Sequence, residues 1–249
     1  MVIIIFFISL WYLSLFTQSF FNHRYSAHRM FTMSPATEKF FYVLTWLFQG
    51  SSYLSPRAYG ILHRMHHAFA DTEKDPHSPL FSKNLFDMMW KTKIIYSDIN
   101  SGKANVEERF TKNVPNWPWM EWFADSWGSR LFWVAVYVAV FVIYCHHWYL
   151  WFLLPVCIVM SPVHGAIINW YAHKLGYTNF DMADTSSNLL PFDFLMWGES
   201  YHNNHHKMGG RANFGGIKWH EFDPMYPLIL LFNSIHLIKL KKNNDFNYM

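Results

Sequence analysis

The sequence predicts an all-α integral membrane protein of about three transmembrane helices, with interfacial helices and a cytosolic helical lobe carrying three histidine boxes. Three observations predict it. Apolar runs of membrane length recur along the 249 residues. Aromatic residues reach 20% while charged residues fall to 15%, against roughly 25% charged in ordinary globular domains. Histidines cluster at His23/His28, His63/His66/His67 and His202/His205/His206, in polar segments beside the apolar runs.

The first run, residues 2–21, carries no charge and is long enough to span about 30 Å of hydrocarbon. It has no basic start and no small-residue cleavage site, so it reads as an uncleaved helix and not a signal peptide. Residues 36–54 are too short for an ordinary crossing and read as interfacial or re-entrant. A crossing there would also place the first two boxes on opposite sides of the membrane. Ser34-Pro35 and Ser55-Pro56 are helix starts, the second for the helix carrying box two. Residues 70–118 are polar and turn-rich, a peripheral lobe. The long apolar stretch after them divides at Cys145-His146-His147 into crossings at 128–146 and 148–169, the second kinked by Pro155 and Pro162. Residues 227–242 read as an interfacial helix with a basic end.

Lys and Arg are spread over the box-bearing segments and absent from the 145–149 turn, which places the boxes on the cytosolic side. Three crossings then put the N-terminus on the far side. The net charge of +3 is too small to point to nucleic acid and fits a face held near anionic lipid. Cys145 and Cys157 lie in apolar runs and read as reduced packing residues.

Imidazole suits iron, zinc and copper. Residues at i, i+3 and i+4 share a helix face, so His63/His66/His67 and His202/His205/His206 can each aim three rings at one point. His23 and His28, five apart, need a looser turn or two metals to share them. Structural zinc closes at four ligands and catalytic zinc at three, so this many histidines favour iron.

The boxes His23-Arg24-Tyr25-Ser26-Ala27-His28, His63-Arg64-Met65-His66-His67 and His202-Asn203-Asn204-His205-His206 resemble those of the membrane fatty acid desaturases, in the acyl-CoA (delta-9, stearoyl-type) branch. Asp75-Pro76-His77-Ser78-Pro79, Asn169 four before His173, and Gly198-Glu199 add to the resemblance, which runs from about residue 10 to 225. It implies two iron ions held by His23, His28, His63, His66, His67, His173, His202, His205 and His206, with Asn169 reaching one through water. The same residues are the expected catalytic set, with O2 as co-substrate and a cis, delta-9 double bond as product. No CxxC pair or haem module is present, so electrons are expected from a separate ferredoxin- or cytochrome b5-like donor.

Asp75 and Glu199 are the foremost candidates to orient the ligand rings, with Asp71, Asp184 and Asp193 behind them. His77, His146, His147, His164, His220 and His236 fall outside the ligand set. Arg57, Arg64, Lys174 and Arg211 are candidate contacts for the substrate's polar head. Animal acyl-CoA desaturases carry an Arg-Asp pair just before box two that contacts the CoA group. Ile61-Leu62 stand there instead, which leaves both acyl-CoA and acyl-lipid substrates open. Trp11 and Phe7, about 18 Å and 24 Å before His23 along a helix, are candidates to close the acyl tunnel. The alternative enzyme is a histidine-box hydroxylase or ketolase. A metal transporter would place its polar residues at mid-bilayer, and these boxes sit at helix ends.

Overall fold

A computed structural model describes residues 1–241. Among the described residues its regular elements are helices apart from one small two-stranded sheet, with irregular segments at 70–84 and 172–201. The helices are α1 (Val2–Ala27), α2 (Pro35–Gln49), α3 (Pro56–Phe69), α4 (Leu85–Asn100), α5 (Glu108–Thr111), α6 (Pro118–Asp125), α7 (Trp127–Tyr144), α8 (Trp148–Ile158), α9 (Met160–Tyr171), α10 (His202–Lys207) and α11 (Met225–Ser234).

Among the described residues, α1 and α7 are long and apolar enough to cross a membrane, and α8 with α9 adds a third crossing if the bent pair is one span. The first helix runs past the expected boundary at 21 because box one continues it. From Gln18 to Ala27 the helix is of the wide π type, whose i→i+5 bonds include His28 N–H to the His23 carbonyl at 3.1 Å. This is the looser turn that the five-residue spacing requires.

The expected crossing at 148–169 is bent by 79° at Val159. Pro162 has no N–H to offer the Ile158 carbonyl four residues back. Ser51 Oγ donates to that carbonyl at 2.8 Å instead. Ser161 N–H in turn donates to Ser52 Oγ at 3.1 Å. The Gly50–Ser52 turn that ends α2 thus supplies the hydrogen bonds that the broken helix loses.

α2 and α3 start as their sequence signals indicate. Ser34 and Ser55 cap them by accepting from Thr37 and Ala58 N–H, with Pro35 and Pro56 in the first turn. α3 packs on the π segment of α1. Gly60 makes that approach possible, since a Cβ there would lie 2.3 Å from Ser26 Oγ and 3.1 Å from the Ser26 backbone. The expected helix at 227–242 is shorter. α11 ends at Ser234, and Ile238–Leu240 forms a strand antiparallel to Phe31–Met33, while residue 242 lies outside the described residues. An aromatic core of Phe20, Phe21, Phe31 and Phe41 packs beneath this sheet and α11.

Candidate metal centre and adjoining cavity

Four elements deliver the histidines. The π segment carries His23 and leads to His28, α3 carries box two, the turn after α9 carries His173, and α10 carries box three. They converge in two groups: His23, His28, His63, His67 and His205 in one, and His66, His173, His202 and His206 in the other. Within each group the potential ligand atoms all lie within 4.8 Å of one another. Box two is divided between the groups, His63 and His67 facing one and His66 the other. Although four residues apart, His173 and Asn169 do not share an α-helical face, because residues 167–171 are π-helical and His173 lies beyond the helix end.

The rings meet through their Nε2 atoms. His23 and His205 are 3.0 Å apart there, His67 and His205 2.9 Å, His28 and His63 3.0 Å, and His173 and His202 3.1 Å. On the far side of the rings, His66 Nδ1 meets Asp75 at 2.9 Å, His206 Nδ1 meets Asp184 at 3.0 Å and His23 Nδ1 meets Glu199 at 2.5 Å. His173 Nδ1 lies 3.2 Å from Thr185 Oγ1, which donates to Asp71. Asp193 does not join them. It accepts from the N–H groups of Met196 and Ser200 and so shapes the turn before box three.

This arrangement fits a cation. His66 and His206 each give Nδ1–H to a carboxylate, so each Nε2 carries a lone pair, and those two atoms lie 3.2 Å apart. Two lone pairs at that distance repel, and a positive ion shared between them removes the conflict. Burial, reinforced by the neighbouring rings, holds His63, His67, His202 and His205 well below the usual histidine range, so they are neutral donors. Burial raises Asp71, Asp75 and Asp184, but their histidine contacts outweigh it and hold all three ionised, well below the usual carboxylate range.

Several contributors escaped the sequence reading. Arg24, wholly buried, joins Glu199 at 2.8 Å and Asp223 at 2.8 Å; an arginine inside a membrane-length helix was the available signal. Asn203 and Asn204 anchor α10. Asn203 binds Asn179, Phe180 and Ser186, while Asn204 binds the Phe214 carbonyl and Glu221. Gly198 holds φ +85°, and a Cβ there would lie 2.2 Å from Asp223. His77, left out of the ligand set, packs its ring 4.1 Å from that of His66, and neither of its nitrogens has a hydrogen-bond partner.

A cavity of about 1030 Å³ reaches the centre at His63, His77 and Asn169. A separate void of about 40 Å³ lies among His23, His63, His202, Asn169, Gln18 and His164, enough for one ordered water. Trp11 and Phe7 line neither. Trp11 donates to the Leu195 carbonyl and meets His164 edge-on, with Phe7 packed against it. Arg57 sits in a neighbouring recess, bound to Glu121 and to the Ile99 and Asn100 carbonyls. Arg64 binds four backbone carbonyls between Ser26 and Lys112. Lys174 lies exposed with its ammonium over Trp170, and Arg211 contacts Met208.

Residues 1–232 match the fatty acid desaturase family. The chain belongs to that family. It is 27% identical over 230 residues to the delta-9 desaturase-like 5 protein of Arabidopsis thaliana, covering 88% of this chain and 70% of that one. It is 29% identical over 234 residues to the delta-9 desaturase-like 3 protein of the same plant, with the same coverage. Against the sn-1 stearoyl-lipid 9-desaturase of Anabaena variabilis it is 27% identical over 218 residues, covering 86% and 74% of the two chains. This desaturase-family protein therefore combines membrane-length helices with histidine groups able to chelate metal.

Proposed function

We propose that the protein is an oxygen-dependent fatty acyl desaturase that introduces a cis double bond, at the delta-9 position, using two iron ions. The observation carrying this reading is that one large, mostly apolar cavity reaches His63 of the five-histidine group and His77, whose ring packs on His66 of the four-histidine group. His23, His28, His63, His67 and His205 would hold one iron. His66, His173, His202 and His206 would hold the other, with Asn169 reaching it through a water in the small void. Nine imidazoles exceed what zinc uses. Bound there, iron supplies the oxidising power, with O2, for breaking unactivated C–H bonds.

The chain's own residues do the positioning. Asp75, Asp184, Glu199 and the Thr185–Asp71 pair fix ring tautomer and direction, as outer partners of metal-binding histidines do. Leu62 and Tyr59 line the cavity beside His63 and keep the acyl chain in dry surroundings. The overall balance removes two hydrogens from the substrate, takes two electrons and two protons from outside, and turns O2 into two waters. The electrons come from a separate ferredoxin- or cytochrome b5-like protein on the cytosolic side, where the positively charged segments hold the site.

Expression in a host whose fatty acids are then profiled, with double-bond positions determined, tests the activity. A new cis monounsaturated chain is expected, with iron near about two per protein chain by elemental analysis. Hydroxylated chains without new double bonds would replace this reading by that of a hydroxylase. An active form holding a single zinc would remove the di-iron assignment.

A further inference from the structure

The large cavity is open on one side. Phe86 and Trp90 of α4 and Trp127 and Leu131 of α7 line it, yet they are 83%, 62%, 78% and 58% exposed. Residues that both line a cavity and face outward mark a gap between their elements. α7 is a membrane-length helix and Trp127 is its first residue, so the gap lies where α7 enters the bilayer. Exposed Trp119 and Trp122 on α6 stand at the start of the same helix. Tryptophans at helix ends mark the lipid–water boundary. The mouth therefore gives onto lipid headgroups.

All but one of the cations near it are paired with acids. Arg130 is paired with Asp125 and also donates to the Ser51 and Tyr53 carbonyls. Arg57 is paired with Glu121, and Lys91 with Asp87. Lys93 lines the cavity with its ammonium 5.2 Å from the Trp90 ring centre. The positions just before box two are Ile61 and Leu62, both buried. A coenzyme A group carries several phosphate charges, which call for a cluster of cations free to make charge-assisted bonds. The recess next to the mouth, about 610 Å³, shares Asn100, Ser101 and Asp125 with the cavity and adds Asn116, Ser126 and Trp122. Its charged residues, Arg57, Glu121 and Asp125, are engaged in ion pairs, Arg57 with Glu121 and Asp125 with Arg130, and together with amides, hydroxyls and an indole they suit a polar head without net charge.

We infer that the substrate is the acyl chain of an intact bilayer glycerolipid whose head carries no net charge, entering sideways between α4 and α7 with its head in the Asn100–Asn116 recess. This rests on the desaturase reading and names its substrate class. The test uses the iron-loaded protein in nanodiscs of distearoylphosphatidylcholine with a reducing donor, in parallel with stearoyl-CoA added to nanodiscs of an unreactive ether lipid. Products are read by mass spectrometry of intact lipid and of CoA ester. Double bonds in the intact lipid, with conversion of the CoA ester at least tenfold slower, are expected. Conversion of stearoyl-CoA alone would overturn the inference.

A binding measurement separates this outcome from failure of the desaturase reading. Competition between distearoylphosphatidylcholine and stearoyl-CoA for the metal-free protein in detergent should favour the lipid. The exposed double variant Ser101→Lys/Asn116→Lys, which adds two cations to the recess, should improve stearoyl-CoA binding about tenfold. If no double bond forms in either substrate, the reaction assignment fails, while lipid preference in this competition still upholds the substrate class. Preference of the unmodified protein for stearoyl-CoA refutes it.

Discussion

The two histidine groups are unequally supported, and this leads to a selective loss of metal. In the four-histidine group, Asp75, Asp184 and, through Thr185, Asp71 direct His66, His206 and His173. In the five-histidine group, Glu199 directs His23 and is itself neutralised by Arg24. Asp75→Asn removes one charge from the first group and keeps an oxygen for the N–H of Asp71 or His77, both of which Asp75 now accepts. Loss of one outer partner costs about 10–100-fold in metal affinity, equivalent to roughly 1.4–2.7 kcal/mol. At a chelator concentration that leaves that subsite half filled in the unmodified protein, the variant would keep only about 1–9% of it. With the other subsite filled, iron per chain should therefore fall from about 1.5 in the unmodified protein toward about one, while Glu199→Gln should lose the other ion to a similar degree. The double variant decides the matter. Different subsites predict a protein almost free of iron, whereas one shared subsite predicts that about one iron remains. Thermal unfolding of each metal-free variant checks that the fold survives. Loss of both irons from Asp75→Asn alone, or of neither, would refute the division into two separately held ions.

Gly60→Ala places a methyl against Ser26 and should cost about 1–3 kcal/mol of stability, with iron lost as box two is pushed from box one; thermal unfolding and metal content read both. The double variant Ser51→Ala/Ser52→Ala leaves the Ile158 carbonyl and Ser161 N–H unpaired at the bend and should destabilise by about 1–3 kcal/mol per group, measured by unfolding in bicelles. Trp11→Ala should leave the product chain lengths unchanged, because Trp11 does not line the cavity. Ser161→Leu, within the lining at the helix break, should shift products toward shorter chains in a host offered several lengths. A shift from Trp11→Ala with none from Ser161→Leu would return the tunnel end to α1.

What could be read from the chain, and what could not, divides along physical lines. The i, i+3, i+4 spacing of box two announces a helical face, and α3 presents it. The spacing cannot say that His66 turns to a different group from His63 and His67, because that depends on where boxes one and three arrive. Asp75 and Glu199 lie near boxes in sequence and do meet rings of the two histidine groups. Asp193 is equally near but is taken by the backbone of its own turn. Trp11 was placed by distance along α1, which is a correct measure of depth and carries no information about which side of the helix faces the cavity. His77 fell outside the expected ligand set, yet the turn after Asp75 folds its ring onto that of His66.

Two departures from regular helix beside the site, the Gln18–Ala27 π segment and the break at Val159, each have a residue-level cause. The π segment lets His23 and His28 serve one group although they are five residues apart; an ordinary α-helix would turn one of them away. The break at Val159 follows from Pro162, and its cost is met by Ser51 and Ser52 from the end of α2. Those same serines, with Ile158, Val159 and Ser161, line the cavity. The bend thus opens space beside Asn169 and His63 that a straight α8–α9 helix would fill. An unsatisfied helix break is costly in lipid, so the hydroxyl pair and the proline act as one unit. Restoring the N–H with Pro162→Ala should straighten the helix only if Ser51 and Ser52 are also replaced. Accordingly, cavity-bound acyl lipid should be lost in the triple variant and largely retained in Pro162→Ala alone. Equal loss from Pro162→Ala by itself would show that the proline, and not the serine contacts, holds the bend.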